Sequence, residues 1–288
     1  MNYARIGWAA WAMVPVFALA FHYGPGRKIA QYDQAVSLQR TAMNLEHEAS
    51  RLQAQAYARH LAALEARRRL FLEGTPENEA AARVAGDAET EAFRQSSAAW
   101  RSAADAFGRV QEAAEGASPE TLRKIRWSRS RALVRSGDIW GGIGELESIL
   151  SEVEDESGDG SPMALATREE LASAYYYGAR LMRLGGEPAS EWMVDSGKAR
   201  QHFRYLAERA RATGKPREIA EDHERNVELV LNLEQSSQLE IEGKPLPKDS
   251  PLGRTGNRPG KGEGKRKQPP RQRDARGAGG AEEINTGW

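Results

Sequence analysis

The sequence predicts an all-α protein, and three observations support this fold class. Apolar residues recur three and four positions apart over much of residues 29–242, which is the period of an amphipathic helix. Two of these stretches, at residues 75 and 118, begin with Ser or Thr, then Pro and Glu, a typical helix start. Glycine pairs or Gly-Asp separate neighbouring stretches. We expect an N-terminal transmembrane helix, a long helical hairpin, antiparallel helix pairs and a disordered C-terminal tail.

Composition limits the chemistry of the protein. The chain has 288 residues, which suffices for one domain with appendages or for two small domains. It contains no cysteine, so disulfides, zinc-thiolate sites and cysteine nucleophiles are excluded. The formal net charge is zero, but basic residues are concentrated near the C-terminus.

Residues 1–28 are predicted to be a transmembrane anchor followed by basic residues. The stretch 6–23 contains no Asp, Glu, Lys or Arg, and as a helix it reaches about 27 Å, against about 30 Å for a bilayer core. Trp and Tyr side chains lie toward its two ends, as interfacial side chains do. The small-x-small pattern at residues 18–20 also suits signal-peptide cleavage, and a buried core helix is a third interpretation.

The orientation of this anchor rests on few charges. Arg5 and the amino terminus precede the apolar stretch, whereas Arg27 and Lys28 follow it. We favour a single-pass membrane protein with a short cytoplasmic N-terminus and its body on the extracytoplasmic side.

Residues 29–116 are predicted to form a long helical hairpin. The stretch 29–72 lacks Pro and Gly and carries a heptad seam in which Leu and Ala alternate. The seam residues are Leu38, Ala42, Leu45, Ala49, Leu52 and Ala56. The register is then expected to slip, because Arg59 falls on the seam while Tyr57, Leu61 and Leu64 take over. A short coiled coil is the alternative.

The second helix of the hairpin is predicted to start at residues 75–77, Thr-Pro-Glu. Large apolar residues recur every seven positions in it, at Phe93, Trp100 and Phe107. Because this helix offers the first one a partner within the chain, we favour the hairpin over an intermolecular coiled coil.

Residues 117–242 are predicted to form antiparallel helix pairs. In the first pair a helix starts at Ser118, the turn lies at Gly137 and Asp138, and the second helix carries one apolar stripe. In the second pair the turn lies at Gly185 and Gly186. Its two helices are placed at 174–184 and around Ala199, Phe203 and Leu206, with an insertion at 187–196, and 218–242 is a capping helix.

These pairs resemble the tetratricopeptide repeat (TPR) family. In the first, Gly142, Leu146 and Ile149 stand where that family has a small, a large and a small residue. The second matches better, through Gly178, Leu181, Ala199, Phe203 and Leu206. The family's Trp and Tyr are absent or shifted, and the likeness covers roughly a third of the chain, so generic helix pairs are the alternative. The resemblance implies an α-solenoid that acts as a protein–protein adaptor.

The first helix pair is polarised in charge. Its first helix is basic, through Arg123, Lys124, Arg126, Arg129, Arg131 and Arg135. Its second helix is acidic, through Glu145, Glu147, Glu152, Glu154, Asp155 and Glu156. Antiparallel packing is expected to pair these charges, which determines which helices associate more than how stable they are.

The candidate partner-binding residues are Tyr176, Arg180 and Arg135. Three consecutive tyrosines, 175–177, form the densest aromatic cluster with Arg180, Trp192 and Phe203, and Tyr and Arg are favoured at binding hot spots. Three adjacent positions of a helix cannot all face inward, so at least one tyrosine is expected to be accessible. Core packing is the alternative.

No pattern for catalysis, cofactor binding or metal binding stands out. The five histidines include no pair spaced for a metal on one helix face. Residues 155–160 begin like a calcium loop, but its twelfth position is Ala166 rather than Glu. We therefore expect no catalytic, cofactor or metal site.

Residues 243–288 are predicted to be a disordered basic tail, rich in Pro, Gly, Lys and Arg. The sequence thus favours a membrane-tethered scaffold that binds a protein partner, of unknown identity, in a helical groove. The alternative is electrostatic binding of nucleic acid or anionic lipid through the tail and the Arg-rich helix. An enzyme is a third and weaker possibility.

Overall fold

The structure, a computed structural model, describes residues 25–114, 116–247 and 249–251. These residues form α-helices and no strand, which confirms the predicted all-α class for them. The helices are α1 (Pro25–Glu73), α2 (Pro76–Ala113), α3 (Pro119–Ser136), α4 (Ile139–Ser157), α5 (Pro162–Leu184), α6 (Ala189–Ala212), α7 (Arg217–Gln235) and α8 (Gln238–Glu242). None of these helices has a stretch long and apolar enough to span a bilayer. Residues 1–24 of the predicted anchor and residues 252–288 of the predicted tail lie outside the described part.

Helices α1 and α2 form the predicted long hairpin. The side chain of Thr75 caps α2 by accepting the backbone N–H of Asn78 at 3.2 Å, which confirms the predicted start. On α1 the fully buried positions are the alanines 42, 49, 56 and 63, each 0% exposed. They pack against the large residues of α2, since clusters join Ala42 to Phe107, Ala49 to Trp100 and Ala56 to Phe93. Small residues on one helix thus leave room for aromatic rings on the other.

The seam does shift, but by one position and not to the predicted residues Tyr57, Leu61 and Leu64. The buried line continues through Gln53, Ala56, His60 and Ala63, whereas Leu61 is 41% exposed. The seam uses the positions just after Leu52 and Arg59, so two polar side chains are buried in it. Such side chains are tolerated in a helical interface when hydrogen bonds satisfy them, and both have partners here.

From α2 to α7 each helix packs mainly on its neighbours in the chain. The predicted turn is present, because Gly137 has φ 98° and the side chain of Asp138 caps α4. Gly142 lets α4 approach α3 closely, since a Cβ there would lie 2.8 Å from the backbone oxygen of Ser130. At the second turn Gly186 has φ 76°, the left-handed region that favours glycine.

Three predicted boundaries differ from the structure. The predicted capping helix 218–242 ends at Gln235, and the separate short helix α8 follows it. Helix α5 begins at Pro162, behind a cap by Ser161, and not at residue 174. Helix α6 begins at Ala189, so most of the predicted insertion at 187–196 is helical. Helices α5 and α6 both start earlier than predicted, next to a proline, at 162 and 188. The Ser-Pro pattern at 161–162 is the same as that at the start of α3.

The four residues predicted to pack the repeats are buried. Leu146, Ala199 and Phe203 belong to the apolar cluster that joins α4 to α7. Gly178 allows a close helix contact, because a Cβ there would lie 2.9 Å from the Trp140 ring. The charges of α3 and α4 pair as expected, through Arg123–Glu156, Arg126–Glu152 and Arg129–Glu145.

Candidate functional site

The C-terminal part of the described chain runs back over the helices that precede it. We call residues 241–247 and 249–251 the return segment. After α7 ends at Gln235, the chain makes the short helix α8 and then continues without regular secondary structure. The return segment contacts α5, α3, α2 and α1. We call the surface that it covers the inner groove, which is defined by Gln53, His60, Phe93, Arg135 and Arg180.

The predicted disorder therefore does not hold for residues 243–247 and 249–251, which contact the helices. Leu246 is 3% exposed and packs with Ala56 of α1 and Phe93 of α2. Ser250 and Pro251 are buried as well. The local composition of this stretch is that of a disordered chain. The helices nevertheless supply an apolar pocket and hydrogen-bond partners, which composition alone does not reveal.

His60 holds the middle of the return segment. The backbone N–H of Leu246 donates to Nε2 of His60 at 2.9 Å. Nε2 must accept, because a backbone N–H can only donate, so in the neutral ring the proton is on Nδ1. Nδ1 lies 2.5 Å from Oε1 of Glu89, and Arg67 binds the other oxygen of that carboxylate. The buried Glu89 thus orients His60 toward the segment.

Gln53 holds the end of the return segment. Its Nε2 donates to the backbone oxygen of Ser250 at 3.0 Å, and its Oε1 accepts the hydroxyl of Ser96 at 2.7 Å. All three residues are buried. Since both ends of the amide are satisfied, the orientation of Gln53 is fixed by the hydrogen bonds that it makes.

Arg180 holds the start of the return segment. Its Nη2 donates to the backbone oxygen of Ile241 at 3.0 Å, and both residues are buried. Burial lowers the pKa of the Arg180 guanidinium, while the neighbouring Tyr176 opposes that change. Burial likewise raises the pKa of Tyr176. A guanidinium in this position needs an acceptor, and the segment supplies one with its main chain.

Arg135 lies farther along the floor of the inner groove. It forms an ion pair with the buried Glu170 of α5, and its guanidinium lies 5.6 Å from the centroid of the Trp100 ring. Burial opposes its charge, but the attraction of Glu170 and their hydrogen bond outweigh it, and the pKa of Arg135 lies above its usual value. Its Nη2 is 3.9 Å from the half-exposed carboxylate of Asp249, a weak contact with the return segment.

None of the three tyrosines is accessible, so that expectation was wrong. Tyr175, Tyr176 and Tyr177 are 2%, 6% and 7% exposed. Helix α5 is covered by α4 and α6, and by the return segment and α8 on a further side, so it has no solvent-facing stripe at this level. The ring of Tyr175 stacks on His202 of α6 at 6.1 Å between centroids.

Of the candidate partner-binding residues, Arg180 and Arg135 therefore lie at the inner groove and Tyr176 lies next to Arg180, and none of the three forms an open surface. Arg180 touches Tyr176 and the return segment, while Arg135 lies near Tyr177. Gln53 and His60 were not predicted to be functional residues. The sequence does contain a pattern that indicates them, because these two polar residues are seven positions apart and alternate with the buried alanines of α1.

Together, the described residues define an all-α protein of consecutive antiparallel helices whose own C-terminal segment lies along an inner groove. The chain matches no family model, and no curated protein or solved structure shows significant similarity to it. The resemblance to tetratricopeptide repeats therefore stays a prediction from the residues.

Proposed function

We propose that the protein is a membrane-tethered, non-enzymatic scaffold that binds an extended segment of a partner protein in the inner groove. The observation that carries this proposal is the arrangement of three buried side chains. Gln53 and His60 each bind one main-chain group of a stretch that lacks regular structure, and Arg180 binds the carbonyl of Ile241 in the short helix α8. Main-chain hydrogen bonds combined with a side-chain pocket are the usual basis of peptide recognition.

The tether rests on the sequence of residues 1–28, with the body on the extracytoplasmic side as the favoured topology. The adaptor role draws further support from the tetratricopeptide resemblance, because that family binds proteins. Tyr176, Arg180 and Arg135 are the proposed contacts, and they become available to a partner when the return segment leaves.

Capture of partners from detergent-solubilised membranes tests this function with the full-length chain. We expect a captured protein that persists at high salt, that is lost with Arg180→Ala and with His60→Ala, and that is retained with Arg51→Ala on the exposed face of α1. Circular dichroism checks that each variant keeps its helices. Capture that is equal in all three variants would place the binding surface elsewhere.

The alternative function, electrostatic binding of nucleic acid or anionic lipid, was based on two basic elements, the Arg-rich helix α3 and the tail. The charges of α3 support it less, because they are paired within the protein. The basic residues predicted on α3 all pair with acidic residues, and Arg131 and Arg135 reach Glu46 and Glu170 outside the first helix pair. The tail beyond residue 251 is then the remaining basic element. Replacing its Lys and Arg by Gln in the full chain abolishes binding under the alternative and leaves it unchanged under the scaffold function, and binding through the tail falls steeply with salt.

A further inference from the structure

We infer that the partner's segment carries a large aliphatic residue flanked by prolines, and that the return segment is a built-in copy of it that the partner displaces. This inference rests on the proposed function, because it names the chemistry of the partner that the inner groove binds. Its basis is the way in which residues 245–247, Pro-Leu-Pro, are held.

Proline at both flanks leaves one main-chain donor for the groove to bind. Pro245 and Pro247 have no N–H, so across 245–247 the N–H of Leu246 is the only one, and it is the group that His60 binds. The prolines also restrict φ on both sides, which reduces the conformational entropy that an extended ligand loses when it binds. The groove is thus matched to a proline-flanked residue.

The side chain of Leu246 fills a pocket between the two helices of the hairpin. The pocket is formed by Ala56, Phe93 and the half-buried Ala92. Alanine on α1 leaves the space, and the Phe93 ring provides an apolar wall. A large aliphatic side chain fits this pocket, whereas a charged one would lose its hydration without finding a counter-ion there.

The two ends of the groove bind carbonyl groups and so place no demand on the side chains of the ligand. Arg180 binds the carbonyl of Ile241 and Gln53 that of Ser250. In an empty groove, water would take the place of these carbonyls. An occupant that supplies carbonyls at both ends replaces that water, and a peptide does so whatever its side chains there.

The return segment is held by few groups, so exchange with a partner is feasible. Between residues 242 and 249 its exposed residues are Glu242, Gly243, Lys244, Pro245 and Asp249. Among the described residues, its anchoring consists of the three hydrogen bonds to the groove, a hydrogen bond of Lys244 to Ser236, the weak contact of Asp249 with Arg135, the Leu246 side chain and the buried residues at its two ends. A partner with the same pattern replaces each of these contacts, but it competes with a segment whose effective concentration in the chain is of millimolar order.

A synthetic peptide with the sequence of residues 241–251, labelled with fluorescein, tests the inference on the full-length chain. The Leu246→Asp chain loses the anchor of its own segment and opens the groove. We expect fluorescence anisotropy to show that this chain binds the peptide at least about tenfold more tightly than the wild type does. Peptides in which the leucine is Asp, or both prolines are Ala, serve as matched controls and should bind more weakly.

A second measurement keeps Leu246 and does not depend on the fold of that variant. Because the chain has no cysteine, Ser250→Cys provides a single buried thiol. An excess of the peptide should raise its rate of reaction with maleimide, whereas the exposed control Ser50→Cys should be unaffected. An unchanged rate, together with equal peptide binding by both chains, would overturn the inference.

Two further results separate the possible occupants and the two proposals. A doubled mass of the Leu246→Asp chain without peptide binding would make a second copy the occupant and overturn the inference. Peptide binding without any captured cellular partner would support the inferred chemistry of the groove and contradict the scaffold function. A captured partner that the peptide fails to displace would support the scaffold function and contradict the inferred chemistry of the groove.

Discussion

The backbone N–H of Leu246 donates to Nε2 of His60 at 2.9 Å, although the two residues are 186 positions apart in the sequence. Glu89 binds the other nitrogen of the same ring. A single imidazole thus connects α1, α2 and the return segment, and its polar atoms are all satisfied within the protein. This relationship explains why a histidine occupies a buried position in a seam of alanines.

Replacement of His60 by Ala should release the middle of the return segment. The Leu246 N–H loses its acceptor and Glu89 keeps Arg67 alone, so we expect a loss of about 1–3 kcal/mol in the free energy of unfolding. Hydrogen exchange of a peptide that contains Leu246 should become faster. His47→Ala, on the exposed face of the same helix, is the control and should change neither quantity. Equal exchange in both variants would show that His60 does not hold the segment.

Replacement of Gly142 by Ala should destabilise the first helix pair. A Cβ at this position would lie 2.8 Å from the backbone oxygen of Ser130 and 3.1 Å from the backbone nitrogen of Val134, so α3 and α4 must separate. We expect a loss of about 1–3 kcal/mol in urea unfolding. Gly144→Ala in the same helix meets nothing within 4 Å and should stabilise by about 0.5–1 kcal/mol. Changes of the same sign in both variants would contradict the close approach.

The sequence predicted well what local chemistry determines. The caps at Thr75 and Ser118, the turn at Gly137 and Asp138 and the heptad of aromatic residues on α2 follow from short-range rules, and the structure has each of them. The pairing of α3 with α4 was also predictable, because opposite charges and facing apolar stripes on consecutive helices indicate one arrangement.

The sequence predicted poorly what distant parts of the chain determine. Gln53 and His60 are buried because residues near 250 and 246 complete their hydrogen bonds, which no window of α1 shows. The three tyrosines of α5 are all buried because this helix is covered on several sides, whereas helical geometry alone predicts one solvent-facing side. In the groove, every contact with the return segment spans tens of positions or more, and local patterns carry no information at that range.

Replacement of Arg135 by Ala should be among the more damaging single changes in the inner groove. Its partner Glu170 has a side chain that is only 10% exposed, so the variant leaves a nearly buried carboxylate without its counter-ion. We expect a loss of about 3 kcal/mol or more in the free energy of unfolding. The additional change Glu170→Gln should restore part of that loss, since it removes the unpaired charge. The exposed pair of Arg51 with Glu48 is the control, and Arg51→Ala should leave unfolding unchanged. A failure of the second change to restore stability would mean that Arg135 acts through its packing on Trp100 instead.

His202 on α6 should make the stability of the helix pairs depend on pH. Burial lowers its pKa from 6.5 to about 4, and the neighbouring Arg168 and Lys198 add to this effect while Glu147 opposes it. Above pH 6.5 the ring is neutral in both the folded and the unfolded chain and has no influence. Between pH 6.5 and 4 the unfolded chain binds a proton that the folded chain does not, so the folded state loses stability as the pH falls, and below pH 4 no further loss occurs.

The loss through His202 amounts to about 3 kcal/mol at most, and solvent access to this half-buried ring reduces it. Urea unfolding of the wild type and of His202→Gln from pH 7 to pH 4 isolates this contribution, because all other titrating groups are common to both chains. The free energy of unfolding of the wild type should fall more steeply, and the difference between the chains should change mainly between pH 6.5 and 4. Parallel pH profiles would show that His202 takes up its proton as readily in the folded chain as in the unfolded one, and the stacking of its ring on Tyr175 would then not keep it neutral.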